Sequence, residues 1–338
     1  MNNIRKVIVT RDWCKEKIFK QSIDRNFHGV EFVVTGNRNE ILKEITNADV
    51  AFIGEFDEEI LGAGRELKWI HSLIGGAGSY LFPQMVASHI PFTCSKPCYG
   101  LAGAEHALGA MLIFSHRIHY IIGRKPLAQG MGSEPIQRKG NDGRDTVLVP
   151  NDLKGKTVGI MGMGHIGQTL AKKASSLGMK VLGTARKTMK MFIGVNQMYP
   201  PENTKELLAN SDFVVIAVPL TKKTNGMVDD SFLKHMKNTA YLIDCSGRPN
   251  IYNYNAIELA IRKEKIAGVC FQPVPQIPEV DIPNIDSGFW KRYNVIVTPC
   301  RGNSLEQEQQ CLDLFFDNLK AFQAGKPLKG LVDKMAGY

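Results

Sequence analysis

No apolar run in this 338-residue sequence approaches the roughly 18–20 residues that a membrane-spanning helix needs, so no membrane partner is expected. The opening MNNIRKVIVTRDW meets charge too early for a secretory signal, and the expected location is the cytoplasm. The seven cysteines (Cys14, Cys94, Cys98, Cys245, Cys270, Cys300, Cys311) contain no C-x-x-C pair and no zinc-type spacing. No metal is expected, and scattered thiols in odd number fit a reducing compartment better than a disulfide framework. Internal repeats and low-complexity tracts are absent. The net charge of +9 is spread along the chain, without a basic motif interleaved with aromatics. Nucleic acid is therefore not an expected partner, whereas a bias toward small anionic molecules is. Hydrophobic content of 43% with 22% charge is that of a soluble globular protein, and the length allows two domains, each with its own core.

What is present centres on VGIMGMGHIG, Val158 to Gly167. An apolar run enters Gly162, Gly164 and Gly167, and a helical pattern follows from Gln168 to Leu177. Strand, tight turn and helix start are the context that gives G-x-G-x-x-G its meaning. Gly162 permits the turn, Gly164 lets a pyrophosphate approach the backbone, and Gly167 lets the helix pack close to the strand. The N–H groups at the helix start supply an anion site. The second strand, KVLGT, runs into Ala185, Arg186 and Lys187. A carboxylate there grips a ribose 2′-hydroxyl, while cations accommodate a 2′-phosphate, so NADP(H) is expected over NAD(H).

Short apolar runs alternate with helical patterns along the rest of the chain, which implies parallel, doubly wound sheets. KVIVT, VEFVVTG, DVAFIG, KWIHSL and PFTCS read as strands in the first third, and FVVIAVPL, AYLIDCS, IAGVCF and NVIVTP in the last. Leu101 to His119 reads as one long helix between domains. Periodicity vanishes from Gly123 to Lys154, and so long a connection is usually functional. The proline-rich segment Pro273–Pro283 reads as an extended loop. The final amphipathic helix, Ser304 to Ala324, needs a partner surface, expected on the first domain.

Taken end to end, the chain resembles the D-isomer-specific 2-hydroxyacid dehydrogenase family. LKWIHSLIGGAGSYLFP is similar to its substrate-loop segment, GLAGAEHALGAML to its interdomain helix, and LKGKTVGIMGMGHIGQTLA to its cofactor motif. SDFVVIAVPLTKKTNGMVD resembles the strand and loop beneath the nicotinamide ribose, and NVIVTP, DLFFDNLKAFQAGKPLKGLVD and the terminal GY resemble its C-terminus. The resemblance implies two Rossmann-like α/β domains with a cofactor cleft between them. A flavodoxin-like, discontinuous substrate domain would comprise 1–117 plus 300–338, and an NAD(P)-binding domain 118–299, with an arm at 120–150 that serves a homodimer. Met163, His165 and Ile166 would then neighbour the pyrophosphate. Val218, Pro219, Thr224, Asp244, Cys245, Ser246 and Gln272 would complete the cofactor site, Gln272 standing where the family places an aspartate on the nicotinamide amide. Ser72, Gly75, Gly76 and Ala77 would offer backbone N–H groups to an acidic substrate group.

The same resemblance implies hydride transfer between the nicotinamide and C2 of a small 2-hydroxy or 2-keto acid. A histidine paired with a glutamate handles the proton, and an arginine grips the carboxylate. This chain departs at all three positions. Gly247 stands at the arginine position with Arg248 one place late; Ile277 stands at the glutamate position with Glu279 two places on; Cys300 stands at the histidine position, followed by Arg301. A thiol at position 300 has two readings, a neutral proton donor or a small filler. His106 and His71 likewise read either as proton carriers or as hydrogen-bonded core histidines, and Arg301 either as the replacement cation or as solvated surface. The expectation is an NAD(P)-dependent oxidoreductase with a remodelled active site and a small anionic substrate. The second reading is a catalytically inactive NAD(P)-binding sensor or partner module.

Overall fold

Apolar runs without polar alternation, such as Phe213–Ile216, bury on both faces. Phe213 and Val215 enter one core and Val214 and Ile216 the other, because successive strand side chains point to opposite sides and helices cover each side. The structure, a computed structural model, describes residues 3–10, 23, 27, 29–54, 56–122, 137–139, 145–147, 150–186, 191–272, 281–284, 287–298 and 305–337. The chain resolves into two compact units, Met1–Tyr99 with Asn303–Tyr338, and Gly100–Gly302. Both are α/β with wholly parallel main sheets, the doubly wound class that the alternating pattern predicts.

The first unit is built on β1 (Lys6–Val9), β2 (Glu31–Val34), β3 (Val50–Ile53), β4 (Trp69–Ser72) and β5 (Phe92–Cys94), in the order β2-β1-β3-β4-β5. One sheet face carries Ile8, Ala51, Ile70 and Phe92. The other carries Val7, Val50, Phe52 and Trp69, and the C-terminal helix Leu305–Gln323 lies on it through Cys311, Phe315 and Leu319. Phe315 stacks on Phe52 with centroids 4.4 Å apart, so the amphipathic final helix has its partner surface.

The second unit holds β8 (Thr157–Met161), β9 (Lys180–Thr184), β10 (Gln197–Tyr199), β11 (Phe213–Ile216), β12 (Tyr241–Asp244), β13 (Gly268–Phe271) and β14 (Val295–Val297). Their order is β10-β9-β8-β11-β12-β13-β14, which reverses direction of winding between β8 and β11. A separate antiparallel pair, β6 (Gln137–Lys139) with β7 (Asp145–Val147), lies in the segment without periodicity. The edge strand β10 has no apolar run, only QMY, and nothing in the sequence marked it.

The long helix differs from its sequence reading. It runs Gly100–Ser115, breaks, and resumes at Ile118–Ile122. Arg117 causes the break by adopting φ 57, a left-handed conformation that ends a right-handed helix. Its guanidinium donates to the Tyr241 hydroxyl, which ties the kink to β12. Gly103 lets this helix press on the glycine-motif helix His165–Ser176: a Cβ there would lie 2.9 Å from the Ile166 side chain. Among the described residues no helix is long and apolar enough to cross a membrane.

Candidate functional site

The glycine motif occupies the C-terminal end of β8, beside the reversal in strand order. In open parallel sheets that position leaves a crevice for ligands. The three glycines meet three different demands. Gly162 turns the chain at φ 101, and a Cβ there would lie 2.7 Å from the Ala217 carbonyl oxygen. A Cβ at Gly167 would collide with the carbonyl oxygen of Gly162. At Gly164, by contrast, an added Cβ meets nothing within 4 Å. Gly164 is also the N-cap of the helix His165–Ser176, and no side chain caps that end. An open approach to a helix N-terminus suits an anion. Met163 is buried, Ile166 is half-buried and His165 is exposed.

Thr184 closes β9, and its hydroxyl accepts from the Gly162 N–H at 3.3 Å. Ala185 follows half-buried and Arg186 exposed; Lys187 lies outside the described residues. No carboxylate stands at positions 184–186 of this strand end. Across the reversal, Val218 approaches Gly162, its Cγ1 3.0 Å from where a Cβ would be. Pro219 is exposed. The Thr224 hydroxyl donates to the Pro219 carbonyl at 2.7 Å and accepts from the Thr221 N–H at 2.8 Å, which fixes this loop.

A polar cluster sits at the ends of β12 and β13. Asp244 is buried, and its Oδ1 accepts from Ser246 N–H at 2.7 Å, Ser246 Oγ at 2.7 Å, Gly247 N–H at 3.2 Å and Tyr252 OH at 2.5 Å. Burial, aided by the Asp244 charge, pushes the Tyr252 hydroxyl well above its usual range, so it remains a donor. Cys245 is buried, its thiol donating to the Gly103 carbonyl at 3.6 Å. Gly247 adopts φ 57, and the buried Gln272 holds its Oε1 3.1 Å from where a Cβ would be. Side chains are disfavoured at that backbone angle and crowded at that distance. Arg248 is half-buried, its N–H donating to Ser246 Oγ at 3.2 Å. Tyr252 is the member of this cluster that sequence reasoning missed, and no local pattern in IYNY signals it.

His106, on the helix Gly100–Ser115, faces this cluster. Its Nε2 is buried without a hydrogen-bond partner. Burial holds its pKa below the ordinary imidazole value, opposed by the charge and the carbonyl of Asp244. A neutral imidazole whose Nε2 has no partner is able to accept or return a proton there. Cys300, Arg301, Ile277 and Glu279, the remaining candidates for chemistry, lie outside the described residues.

In the first unit, Ser72 ends β4, and its Oγ accepts from the Ile74 N–H at 3.3 Å. Gly75 and Gly76 are half-buried and Ala77 is buried. A Cβ at Gly75 would lie 2.7 Å from Cδ2 of Tyr99, so this loop rests against that ring. His71 is a core histidine: fully buried, with Nδ1 2.7 Å from Thr93 Oγ1 and Nε2 3.1 Å from Ser95 Oγ. Burial lowers its pKa from 6.5 to about 3. Below pH 6.5 the unfolded chain takes up a proton that the folded chain refuses, so stability falls as pH falls, until the folded pKa is reached. At about 1.4 kcal/mol per pH unit, the wild-type protein should lose roughly 2 kcal/mol more than His71→Asn between about pH 6.5 and 5. Urea unfolding of both proteins at the two pH values checks this; equal losses would refute it.

Comparison with known proteins places this geometry in a family. A model of the D-isomer specific 2-hydroxyacid dehydrogenase NAD binding domain matches residues 129–302. A glyoxylate reductase of Pyrococcus horikoshii is 34% identical over 315 residues, spanning 90% of this chain and 90% of the relative. One from Pyrococcus furiosus is 29% identical over 307 residues, spanning 88% and 86%. Among solved structures, the NADPH-dependent glyoxylate/hydroxypyruvate reductase of Sinorhizobium meliloti, in complex with NADP and sulfate, shares the fold. Its TM-score is 0.80 at 22% identity, covering 98% of this chain and 99% of that one. The matched family region contains the glycine motif and the β12 cluster together. The chain belongs to the D-isomer specific 2-hydroxyacid dehydrogenase family.

Proposed function

We propose that this protein is an NADP(H)-linked oxidoreductase with a rebuilt active site, acting by hydride transfer on a small anionic substrate other than a simple 2-keto acid. The single observation that carries the reading is Gly247. At φ 57 and hard against Gln272, it offers no cation where an arginine would hold a substrate carboxylate. Glyoxylate is the substrate named for the relatives in Pyrococcus, and the loss of that cation argues for a different one here.

The residues present fit a dinucleotide. Gly164 leaves open space at an uncapped helix start, and Gly162 and Gly167 leave no room for other residues. Gly162–Gly167 would hold the pyrophosphate, Arg186 with Lys187 the 2′-phosphate, and Gln272 the nicotinamide amide, for which its side chain has both donor and acceptor. The nicotinamide, when bound, supplies or accepts the hydride. His106 holds the proton at Nε2. Backbone N–H groups of Gly75, Gly76 and Ala77 hold the acidic group of the substrate. Assays of NADPH oxidation against a panel of carbonyl, imine and enoyl acids test the activity. Turnover of none, with tight NADPH binding, favours the second reading, an inactive NAD(P)-binding sensor or partner module, to which Gly247 also lends support.

Two further outcomes follow from this reading. NADPH should bind more tightly than NADH, and Arg186→Ala should remove about 10- to 150-fold of that preference, the worth of a charge-assisted contact of roughly 1.5–3 kcal/mol. Fluorescence titration measures it, and equal or tighter NADH binding in the wild type would overturn the assignment. The protein should also form a two-fold homodimer in the cytoplasm, with the arm at 120–150 on the partner. Light scattering that finds a monomer at micromolar concentration would refute this.

A further inference from the structure

We infer that Asp244 is an uncompensated anion in the nucleotide site, which favours the cationic, oxidised nicotinamide over the neutral, reduced one and so tilts the bound cofactor toward giving up its hydride. This preference rests on the proposed dinucleotide site and adds a choice between its two redox states.

Two aspartates are buried among the described residues, and their surroundings differ. Asp49, in the first unit, has a cation. Its Oδ1 accepts from Lys68 Nζ at 2.6 Å, and its Oδ2 from the Arg5 N–H at 2.7 Å and the Lys6 N–H at 3.1 Å. Asp244, in the second unit, has none: no ion pair joins it to a described residue. Its four hydrogen bonds, from Ser246 N–H, Ser246 Oγ, Gly247 N–H and Tyr252 OH, all fall on Oδ1. Four donors and no acceptor suit an ionised carboxylate. Oδ2 accepts from no described residue and keeps an opening to the surface. Water at that opening supplies donors but not the missing charge. A buried anion without a cation is costly, and such a group calls for a ligand that completes it.

Position selects the cation. Asp244 closes β12, at the same C-terminal edge of the sheet as the glycine motif on β8, with β11 between them. Gln272 follows β13, the next strand. Gly247 lies between the two side chains: its N–H donates to Asp244 Oδ1 at 3.2 Å, and the point where its Cβ would be is 3.1 Å from Gln272 Oε1. Gln272 holding the nicotinamide amide thus brings the ring beside the Asp244 charge.

Loss of a hydride, two electrons with one proton, leaves the neutral dihydropyridine ring as a pyridinium with one positive charge. Asp244 attracts the second form and not the first. At an effective dielectric of about 20, opposite unit charges about 10 Å apart attract by enough for a roughly tenfold difference in affinity. By linkage, a tenfold tighter hold on the oxidised form lowers the potential of the bound two-electron couple by about 30 mV. The bound cofactor becomes the better reductant, which favours substrate reduction over oxidation.

Calorimetric titration of the full-length protein with NADP+ and with NADPH tests this. The wild type should bind NADP+ about tenfold more tightly than NADPH. Asp244→Asn keeps an acceptor for the four donors and removes the charge. It should weaken NADP+ about tenfold and leave NADPH within about twofold, which erases the preference. Tyr252→Phe removes a donor but keeps the charge, and should retain the preference, which separates charge from the structural role of the cluster. Circular dichroism checks the fold of each variant, and if Asp244→Asn does not fold, the wild-type ratio decides. Three results overturn the assignment while the dinucleotide site stands: wild-type NADPH binding as tight as that of NADP+ or tighter, an unchanged ratio in folded Asp244→Asn, or an equal loss of preference in Tyr252→Phe. Binding of neither nucleotide by the wild type overturns the site itself and the preference with it.

Discussion

Gly167→Ala should abolish nucleotide binding and lower the melting temperature, whereas Gly164→Ala should weaken binding with no change in melting. The contrast follows from what each new methyl meets. At position 167 it collides with the backbone carbonyl of Gly162, an atom that cannot rotate away. Overpacking of this kind costs roughly 1–3 kcal/mol, or about 2–12 °C in a chain of this size. The turn must also shift, which moves the N–H groups that would receive the phosphates in the proposed site. At position 164 the methyl meets no protein atom within 4 Å, so the folded state is untouched. In the proposed cofactor site it would project instead into the path of the pyrophosphate. Loss of charge-assisted bonds worth roughly 1.5–3 kcal/mol gives about a 10- to 150-fold weaker dissociation constant. Fluorescence titration with NADPH and a thermal melt of each variant suffice. A Gly164→Ala protein that binds like the wild type would mean the ligand does not approach this backbone.

The turn at Gly162 and the close packing at Gly167 were legible because each is a local demand that only glycine meets. The strands were legible for a related reason: runs such as Val158–Met161 and Phe213–Ile216 are buried on both faces, and only a covered parallel sheet does this. What the sequence did not show depends on register and on distant partners. Thr93 meets His71 because β5 pairs with β4 in that register, and no spacing along the chain announces it. The contact between Asp244 and Tyr252 needs the chain to fold back through a turn, and the influence of the Asp244 charge on His106 needs a helix from another part of the sequence. The break at Arg117 was hidden because arginine is an ordinary helix former whose left-handed backbone is imposed by its surroundings. His71 was ambiguous for the same reason, since a histidine at a strand end reads alike whether its nitrogens are satisfied or not.

Simple 2-keto acids should be turned over negligibly, with cofactor binding intact. A standard member of the family needs a cation for the substrate carboxylate and a basic group, backed by a carboxylate, for the proton on oxygen. Position 247 offers no cation, and any side chain there would be strained at φ 57 and crowded by Gln272 Oε1, 3.1 Å from where a Cβ would be. Position 277 is isoleucine and position 300 a cysteine, a weaker base at neutral pH than an imidazole. A proton carrier positioned over the substrate oxygen is worth about 10²–10⁴-fold in rate, a benefit that a simple 2-keto acid forfeits in part when the carrier is His106 and not position 300, and loss of the carboxylate grip costs roughly a further 10- to 150-fold. These effects do not simply multiply within one site, but both act in the same direction. Pyruvate, glyoxylate and hydroxypyruvate should therefore fall far below the roughly 10 s⁻¹ of an ordinary enzyme. Gly247→Arg alone should not restore them, because the new side chain inherits a left-handed backbone and the crowding of Gln272. On whichever substrate is active, His106→Ala, Cys300→Ala and Arg301→Ala should each reduce kcat/KM more than Arg248→Ala does. Their pH profiles distinguish them, since loss of a proton carrier removes a titrating limb and loss of a cation chiefly raises KM. Steady-state kinetics following NADPH absorbance decide the matter: turnover of glyoxylate at about 10 s⁻¹ by the wild type would mean that the three departures leave the ordinary chemistry intact.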